Sequence, residues 1–175
     1  MVFWISLLIL LTKWPRVRNR SVSQHSAAFK ESYRFFTTVQ VIVGIITYIF
    51  VIRWFIPTFD LTLLFTIIYT LMALLQISSA LIPDTMTGRS SKVHLFLANY
   101  MALGMFFAAL LLCFSPAIHG LSKIVVIVTT LYMLVCGLVI AQKKGRPHLL
   151  PNYLIIQIIY IVGFQATMLF VSLYR

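Results

Sequence analysis

The sequence predicts an all-α protein, a polytopic transmembrane helical bundle with five full spans and a short sixth span at the N-terminus. Three observations predict this fold. The 175 residues are 61% hydrophobic and 10% charged, whereas soluble domains are about half apolar and about a quarter charged. Apolar segments of the roughly 20 residues needed to cross a bilayer recur along the chain. Basic residues fall on alternate loops between these segments, as in multi-pass membrane proteins.

The spans follow from the apolar runs and from the residues that interrupt them. Proline and glycine residues separate the runs, as at Pro57, Pro116 and Gly120. The first run is too short to cross a full bilayer, so it is a short or tilted span, an interfacial segment or the remnant of a longer helix. Without an internal repeat, 1–175 is predicted to form one transmembrane domain. The spans are expected at about 1–12, 36–56, 61–82, 93–114, 121–141 and 150–173.

The distribution of positive charge predicts the orientation of the spans. The loops after the first, third and fifth spans carry most of the 14 Lys and Arg residues. These residues are Lys13, Arg16, Arg18, Arg20, Lys30, Arg34, Arg89, Lys92, Lys143, Lys144 and Arg146. The other side has Arg53, Lys123 and Arg175. The positive-inside rule therefore predicts that the three basic loops are cytoplasmic.

The net charge of +11 also indicates which kinds of partner the protein is expected to bind. A nucleic-acid-binding protein concentrates its basic residues on a soluble face, whereas here they flank apolar runs. We therefore expect membrane lipids as partners, above all anionic headgroups at the inner face, together with membrane proteins, and we do not expect nucleic acid.

Polar residues recur within the spans, where they are costly unless they have a partner or a role. They are Gln40, Thr47 and Tyr48 in the second span, Gln76 and Ser79 in the third, Asn99 in the fourth, and Gln157, Tyr160 and Gln165 in the sixth. One interpretation is hydrogen bonding between packed helices. The other is a polar cavity between spans two, three, four and six, with Gln76 and Asn99 as ligand-binding residues. The spans lack a central carboxylate, which disfavours a proton- or cation-coupled pump.

The loop after the third span contains the candidate catalytic residues, Asp84 and His94. A carboxylate that meets an imidazole can orient it for acid–base catalysis. His25 and His148 are expected on the same side, so His25, His94 and His148 are weak candidates for a metal site. The alternative is interfacial histidines and an aspartate paired with a loop cation. We predict no cofactor.

The same loop also has features of an anion site. Ser90 or Ser91 is placed to cap the fourth span, and Arg89 and Lys92 flank that helix start. Helix N-termini attract anions. Arg89, Ser91 and Lys92 are therefore candidate ligands for a lipid phosphate, with ordinary capping as the alternative.

This loop also carries a family resemblance. The run 78–84 (SSALIPD), followed by a polar stretch, His94 and Ala98-Asn99, resembles the DUF998 membrane family and its Frag1/DRAM/Sfk1-like relatives. The polar stretch 18–23 is similar to one that precedes their second span. The resemblance implies a six-span architecture with a Pro-acidic turn after the third span, and it implies no particular activity. This chain differs in its short first span, in Gln24 where the family has an acidic residue, and in a basic first loop, which the family tends to place outside.

Three functions remain open. The preferred prediction is an integral membrane protein that lacks a clear catalytic motif and binds a lipid or small molecule or packs as a subunit of a membrane complex. One alternative is a membrane-interface hydrolase or transferase that acts on a lipid through Asp84 and His94. The other is a small transporter or channel subunit. The lack of a clear catalytic motif favours a protein that is not an enzyme.

Overall fold

A computed structural model describes residues 2–14, 21–85, 88–142 and 153–174. These residues form helices, without any strand among them. The helices are α1 (Val2–Lys13), α2 (Val22–Ser26), α3 (Lys30–Thr58), α4 (Leu63–Leu81), α5 (Gly88–Leu112), α6 (Gly120–Gln142) and α7 (Tyr153–Leu173). Helices α3 to α7 are each long and apolar enough to cross a membrane, and α1 is a shorter apolar helix. The predicted all-α bundle with five full spans is confirmed, and the chain has the architecture of a multi-pass membrane protein.

Two helices begin earlier than the apolar runs indicate. Helix α3 begins at Lys30 rather than near residue 36, and α5 begins at Gly88 rather than near residue 93. Hydropathy detects only the apolar part of a helix, whereas the first turns of these two helices are polar and largely exposed, as at Lys30, Glu31 and Arg89. Helix α3 has 29 residues, or about 44 Å at about 1.5 Å per residue, which exceeds the roughly 30 Å apolar core of a bilayer.

The helices pack mainly against their neighbours in sequence. Helix α3 packs on α1 and α4, α5 packs on α4 and α6, and α7 contacts α2, α5 and α6. Gly104 lets α5 approach α4 closely, since a Cβ atom there would lie 3.2 Å from Cβ of Met72. The indole of Trp4 donates to Oε1 of Gln165 at 3.0 Å, which ties α1 to α7.

The bundle has two ends that differ in character. We call the end with residues 21–30, 81–85, 88–89 and 153–156 the basic end, and the end with residues 55–65, 112–121 and 171–174 the opposite end. Helix α3 approaches the opposite end through a π-helical turn, Val51–Phe55. There the ring of Phe55 lies 4.7 Å from that of Phe59 and 6.5 Å from that of Phe65. Aromatic packing thus fills the opposite end.

Candidate functional site

A cavity of about 90 Å³ with many polar residues in its lining lies at the basic end, between α2, α3, α4, α5 and α7. We call it the glutamine cavity. Its polar lining residues are Ser23, Ser26, Tyr33, Thr37, Gln40, Gln76, Ser79, Asp84, His94, Gln157 and Gln165. The long helices that line the cavity are spans two, three, four and six, the four spans between which the sequence predicted a polar cavity.

The short helix α2 forms one wall of the cavity. Its start is held by a capping box, in which Ser21 and Gln24 each bond the backbone N–H of the other. The backbone N–H of Val22 donates to Oε1 of Gln157 at 3.0 Å, which fixes α2 against α7. The hydroxyl of Ser23 reaches Oδ2 of Asp84 at 3.4 Å. Local capping and one bond to α7 therefore position this wall.

The end of α4 is held by side chains of α3. The hydroxyl of Tyr33 donates to the carbonyl oxygen of Leu81 at 2.8 Å, and that of Thr37 donates to the carbonyl of Ala80 at 2.9 Å. The last carbonyls of a helix have no partner within the helix. These two bonds satisfy such carbonyls and fix the exit of the chain into the loop that carries Asp84.

Asp84 and His94 both lie in the cavity wall, so the structure brings the two predicted residues together. Asp84 is 6% exposed, and its Oδ1 accepts from the hydroxyl of Ser91 at 2.7 Å. His94 is 8% exposed, and its Nδ1 bonds the carbonyl oxygen of Ile82 at 2.7 Å. A carbonyl only accepts, so Nδ1 carries the hydrogen and a neutral imidazole keeps an acceptor at Nε2. The Nδ1–H group of His94 thus donates to a backbone carbonyl oxygen.

The loop serines do not cap α5 as the sequence suggested. Helix α5 begins at Gly88, so Ser90 and Ser91 lie inside its first turns. The hydroxyl of Ser90 donates to the carbonyl of Pro83 at 2.6 Å, and that of Ser91 donates to Asp84. Both serines hold the preceding loop against the helix.

The glutamines reach the cavity with defined orientations. Oε1 of Gln157 accepts from the backbone N–H of Val22, and Oε1 of Gln165 accepts from the indole of Trp4. Backbone and indole N–H groups only donate, so these bonds identify the amide oxygens, and the NH₂ groups lie on the other side of each amide. Nε2 of Gln76 lies 3.3 Å from Oε1 of Gln40. The cavity therefore contains amide donors held in place by bonds to other elements.

One predicted ligand residue lies elsewhere. Asn99 is exposed and lines a separate groove of about 450 Å³ between α5, α6 and α7, beside Gly137 and Tyr160. Five residues separate Asn99 from His94, which is about 140° around a helix of 3.6 residues per turn. The structure therefore places Asn99 and Gln76 in different cavities, and ligand binding by Asn99 stays a prediction.

The predicted anion ligands lie at the edge of the site. Arg89 and Lys92 are exposed and do not line the glutamine cavity. Ser91 is half-buried and is bonded to Asp84. Lipid phosphate binding at these residues stays a prediction.

The weak metal candidates do not share one site in the described part of the chain. His25 is buried and its Nε2 bonds the carbonyl oxygen of Leu10 at 3.3 Å, and it does not line the glutamine cavity. His148 lies outside the described residues. Within residues 2–14, 21–85, 88–142 and 153–174, no group of three or more His, Cys, Asp or Glu side chains is placed to hold a metal ion.

A second cavity adjoins the first. It has a volume of about 320 Å³ and lies between α1, α3, α4, α5 and α7 toward the opposite end. Its lining is mostly apolar, and we call it the apolar cavity. Gln76, Met105 and Gln165 line both cavities. The two cavities therefore meet at the level of these three side chains.

Several residues that line the cavity were not predicted from the sequence. Ser23, Tyr33 and Thr37 line the cavity, yet they stand outside the apolar runs or at their edge. The capping-box pattern Ser21-x-x-Gln24 was a readable signal for α2. The bonds from Tyr33 and Thr37 to α4 had no comparable signal, because they depend on how two helices pack.

Comparison of the chain with protein-family models, with curated proteins and with solved structures gives no match. The resemblance to the DUF998 and Frag1/DRAM/Sfk1-like proteins therefore stays a prediction.

Proposed function

We propose that this multi-pass membrane protein binds a small polar molecule, or the polar group of a lipid, in the glutamine cavity. The observation that carries the proposal is the convergence of Gln76, Gln157 and Gln165 from α4 and α7 on one cavity that also holds His94 and Asp84.

Simple packing between helices accounts less well for these residues. Within the described part of the chain, the NH₂ groups of Gln157 and Gln165 have no hydrogen-bond partner. Each amide is held by its oxygen alone, so each leaves donors unused. An unpaired polar group in an apolar medium costs free energy, and a bound acceptor offsets that cost.

A small transporter or channel subunit is a second candidate. The observation that favours it is the lining shared by the glutamine and apolar cavities at Gln76, Met105 and Gln165. Together the cavities extend from the basic end into the other half of the bundle. If these three side chains moved apart, the two cavities would form one path along the bundle.

A lipid hydrolase or transferase has less support. Its general base would be Nε2 of His94, with Nδ1 held by the Ile82 carbonyl. The serine hydroxyls in the cavity wall are engaged elsewhere: those of Ser26 and Ser79 donate to backbone carbonyls of their own helices, and that of Ser23 bonds Oδ2 of Asp84. Neither serine is arranged as a nucleophile bonded to His94.

We also propose that the basic end faces the cytoplasm. The support is the charge distribution between alternate loops. In this orientation the exposed side chains of Arg89 and Lys92 meet anionic headgroups, while the uncharged glutamines lie deeper.

Native mass spectrometry of protein released from its own membranes tests the proposal. We expect a retained small-molecule or lipid adduct on the wild-type protein and on Asn99→Leu, and at least about tenfold lower occupancy on Gln76→Leu, since loss of polar contacts worth about 1.4 kcal/mol has that effect. Asn99→Leu is the matched control, because it removes an amide at a position of α5 that does not line the glutamine cavity. Equal occupancy in all three proteins, or no adduct on the wild type, would contradict the proposal.

A further inference from the structure

We infer that the ligand is a single-chain amphiphile with an uncharged, hydroxyl-bearing head, such as a monoacylglycerol. Its head lies in the glutamine cavity and its acyl chain in the apolar cavity. This inference rests on the proposed function. It adds that the ligand has one acyl chain and that its head is uncharged.

The adjacency of the two cavities is the first support. The glutamine cavity, which has the larger number of polar side chains, and the apolar cavity share Gln76, Met105 and Gln165 as lining, so these three side chains stand between the two spaces. A molecule that fills both has a polar part and an apolar part joined end to end. The apolar cavity alone, at about 320 Å³, is within the range of about 300–1,000 Å³ typical of ligand sites.

The position of the apolar cavity is the second support. Ile46 of α3 and Leu169 of α7 line it and are 62% and 47% exposed. In a membrane these exposed apolar side chains face lipid chains. An acyl chain therefore enters sideways from the bilayer, without crossing the polar end of the protein.

The charge of the lining is the third support. No Lys or Arg stands among the described residues that line the glutamine cavity, whereas Asp84 does. Among the described lining residues, a carboxylate or phosphate head would meet the buried acid Asp84 and no Lys or Arg side chain, which is unfavourable in a medium of low dielectric constant. A hydroxyl group both donates and accepts, so it fits the glutamine NH₂ donors and the Nε2 acceptor of His94.

Fluorescence quenching of Trp4 tests the inference, because Trp4 lines the apolar cavity. A variant with Trp14→Phe and Trp54→Phe keeps Trp4 as its one tryptophan and is placed in phosphatidylcholine nanodiscs. The probes are monostearoylglycerol with a dibrominated chain and the matching dibrominated stearate at mildly alkaline pH. A reporter that keeps Trp54 instead, through Trp4→Phe and Trp14→Phe, measures general partitioning into the bilayer.

We expect saturable quenching of Trp4 by the glycerol ester and at least about tenfold weaker binding of the stearate. Thr47→Phe narrows the apolar cavity and should weaken ester binding by about tenfold or more, because the chain loses buried contacts. Ile45→Phe, on an exposed face of the same helix and outside the cavity, should have no effect. Ser172→Leu narrows the cavity from α7 and replaces Thr47→Phe if that variant does not fold.

Two results separate this inference from the proposed function. In the first result, the adduct depends on Gln76, but quenching of Trp4 is unsaturable, insensitive to both narrowing variants or equally strong with stearate. The inference of an amphiphilic ligand is then wrong, while the proposed binding of a polar molecule stands. If the wild type retains no adduct and quenching is also unsaturable, both fail.

Discussion

The opposite end and the basic end of the bundle are held together by different interactions. At the opposite end Phe55, Phe59 and Phe65 pack against one another and are buried. At the basic end hydroxyl groups bond helix-end carbonyls, as from Thr37 to Ala80, and a polar cavity remains between the helices.

The difference indicates how this protein divides stability and function. Lipid chains are as apolar as a helix surface, so helices in a bilayer associate through close packing and hydrogen bonds. At the opposite end, close packing of aromatic rings stabilises the bundle together with polar bonds such as that from the Ser115 hydroxyl to the Phe59 carbonyl at 2.8 Å. At the basic end hydrogen bonds join the helices around the cavity in which we propose that a ligand binds. We therefore expect substitutions at the opposite end to affect stability and those in the glutamine cavity to affect binding.

The largest effect should come from Phe55→Ala. Phe55 is 0% exposed, and truncation of a buried Phe typically costs about 3–5 kcal/mol. Unfolding by sodium dodecyl sulfate in mixed micelles, followed by circular dichroism, measures this loss. Ile49→Ala on the same helix, where Ile49 is 53% exposed, is the control and should cost far less. Similar losses in the two variants would show that the aromatic cluster does not stabilise this end.

A smaller effect is expected where α4 and α5 meet. Gly104→Leu forces a side chain against Met72, whereas a Cβ atom at Gly137 would meet nothing within 4 Å. Overpacking costs about 1–3 kcal/mol, so Gly104→Leu should be destabilised in the same assay and Gly137→Leu should not. A stable Gly104→Leu variant would argue that the two helices are not held this closely.

At the basic end, Gln157→Leu should loosen α2 with a modest loss of stability. The Val22 N–H loses its acceptor, and one such hydrogen bond contributes about 1 kcal/mol. Hydrogen–deuterium exchange of residues 21–29 measures the change, with Asn99→Leu as the control. Unchanged exchange in Gln157→Leu would mean that the capping box alone holds α2.

The smallest effect should come from the Thr129–Thr167 pair, which joins α6 to α7 with a hydroxyl distance of 2.7 Å. Interhelical hydrogen bonds in membranes average about 0.6 kcal/mol. A double-mutant cycle of Thr129→Val and Thr167→Val should return a coupling of that order. A coupling near 2 kcal/mol, well above about 0.6, would show that polar bonds hold this interface as strongly as packing holds the aromatic end.

Composition made the fold predictable, whereas the site depended on packing. The apolar runs identified every long helix, since membrane-spanning length leaves a strong hydropathy signal. Gln76 and Gln157 could be recognised as polar residues on helix faces. A polar cavity between their spans was one of the interpretations, whereas the bonds that orient the two amides could not be predicted, because they depend on how the helices pack. Asn99 shows the limit, since the helical repeat places it away from His94.

The central claim is that the glutamine cavity holds a ligand, and electron cryomicroscopy of the protein in phosphatidylcholine nanodiscs tests it most directly. A rigid antibody fragment bound to an exposed loop would supply the mass needed for alignment. We predict density for a bound molecule within hydrogen-bond distance of the Gln157 or Gln76 amide and beside His94, continuing as an extended chain past Met105. Collapsed walls, with the glutamine NH₂ groups bonded to protein and no space between α4 and α7, would contradict the claim.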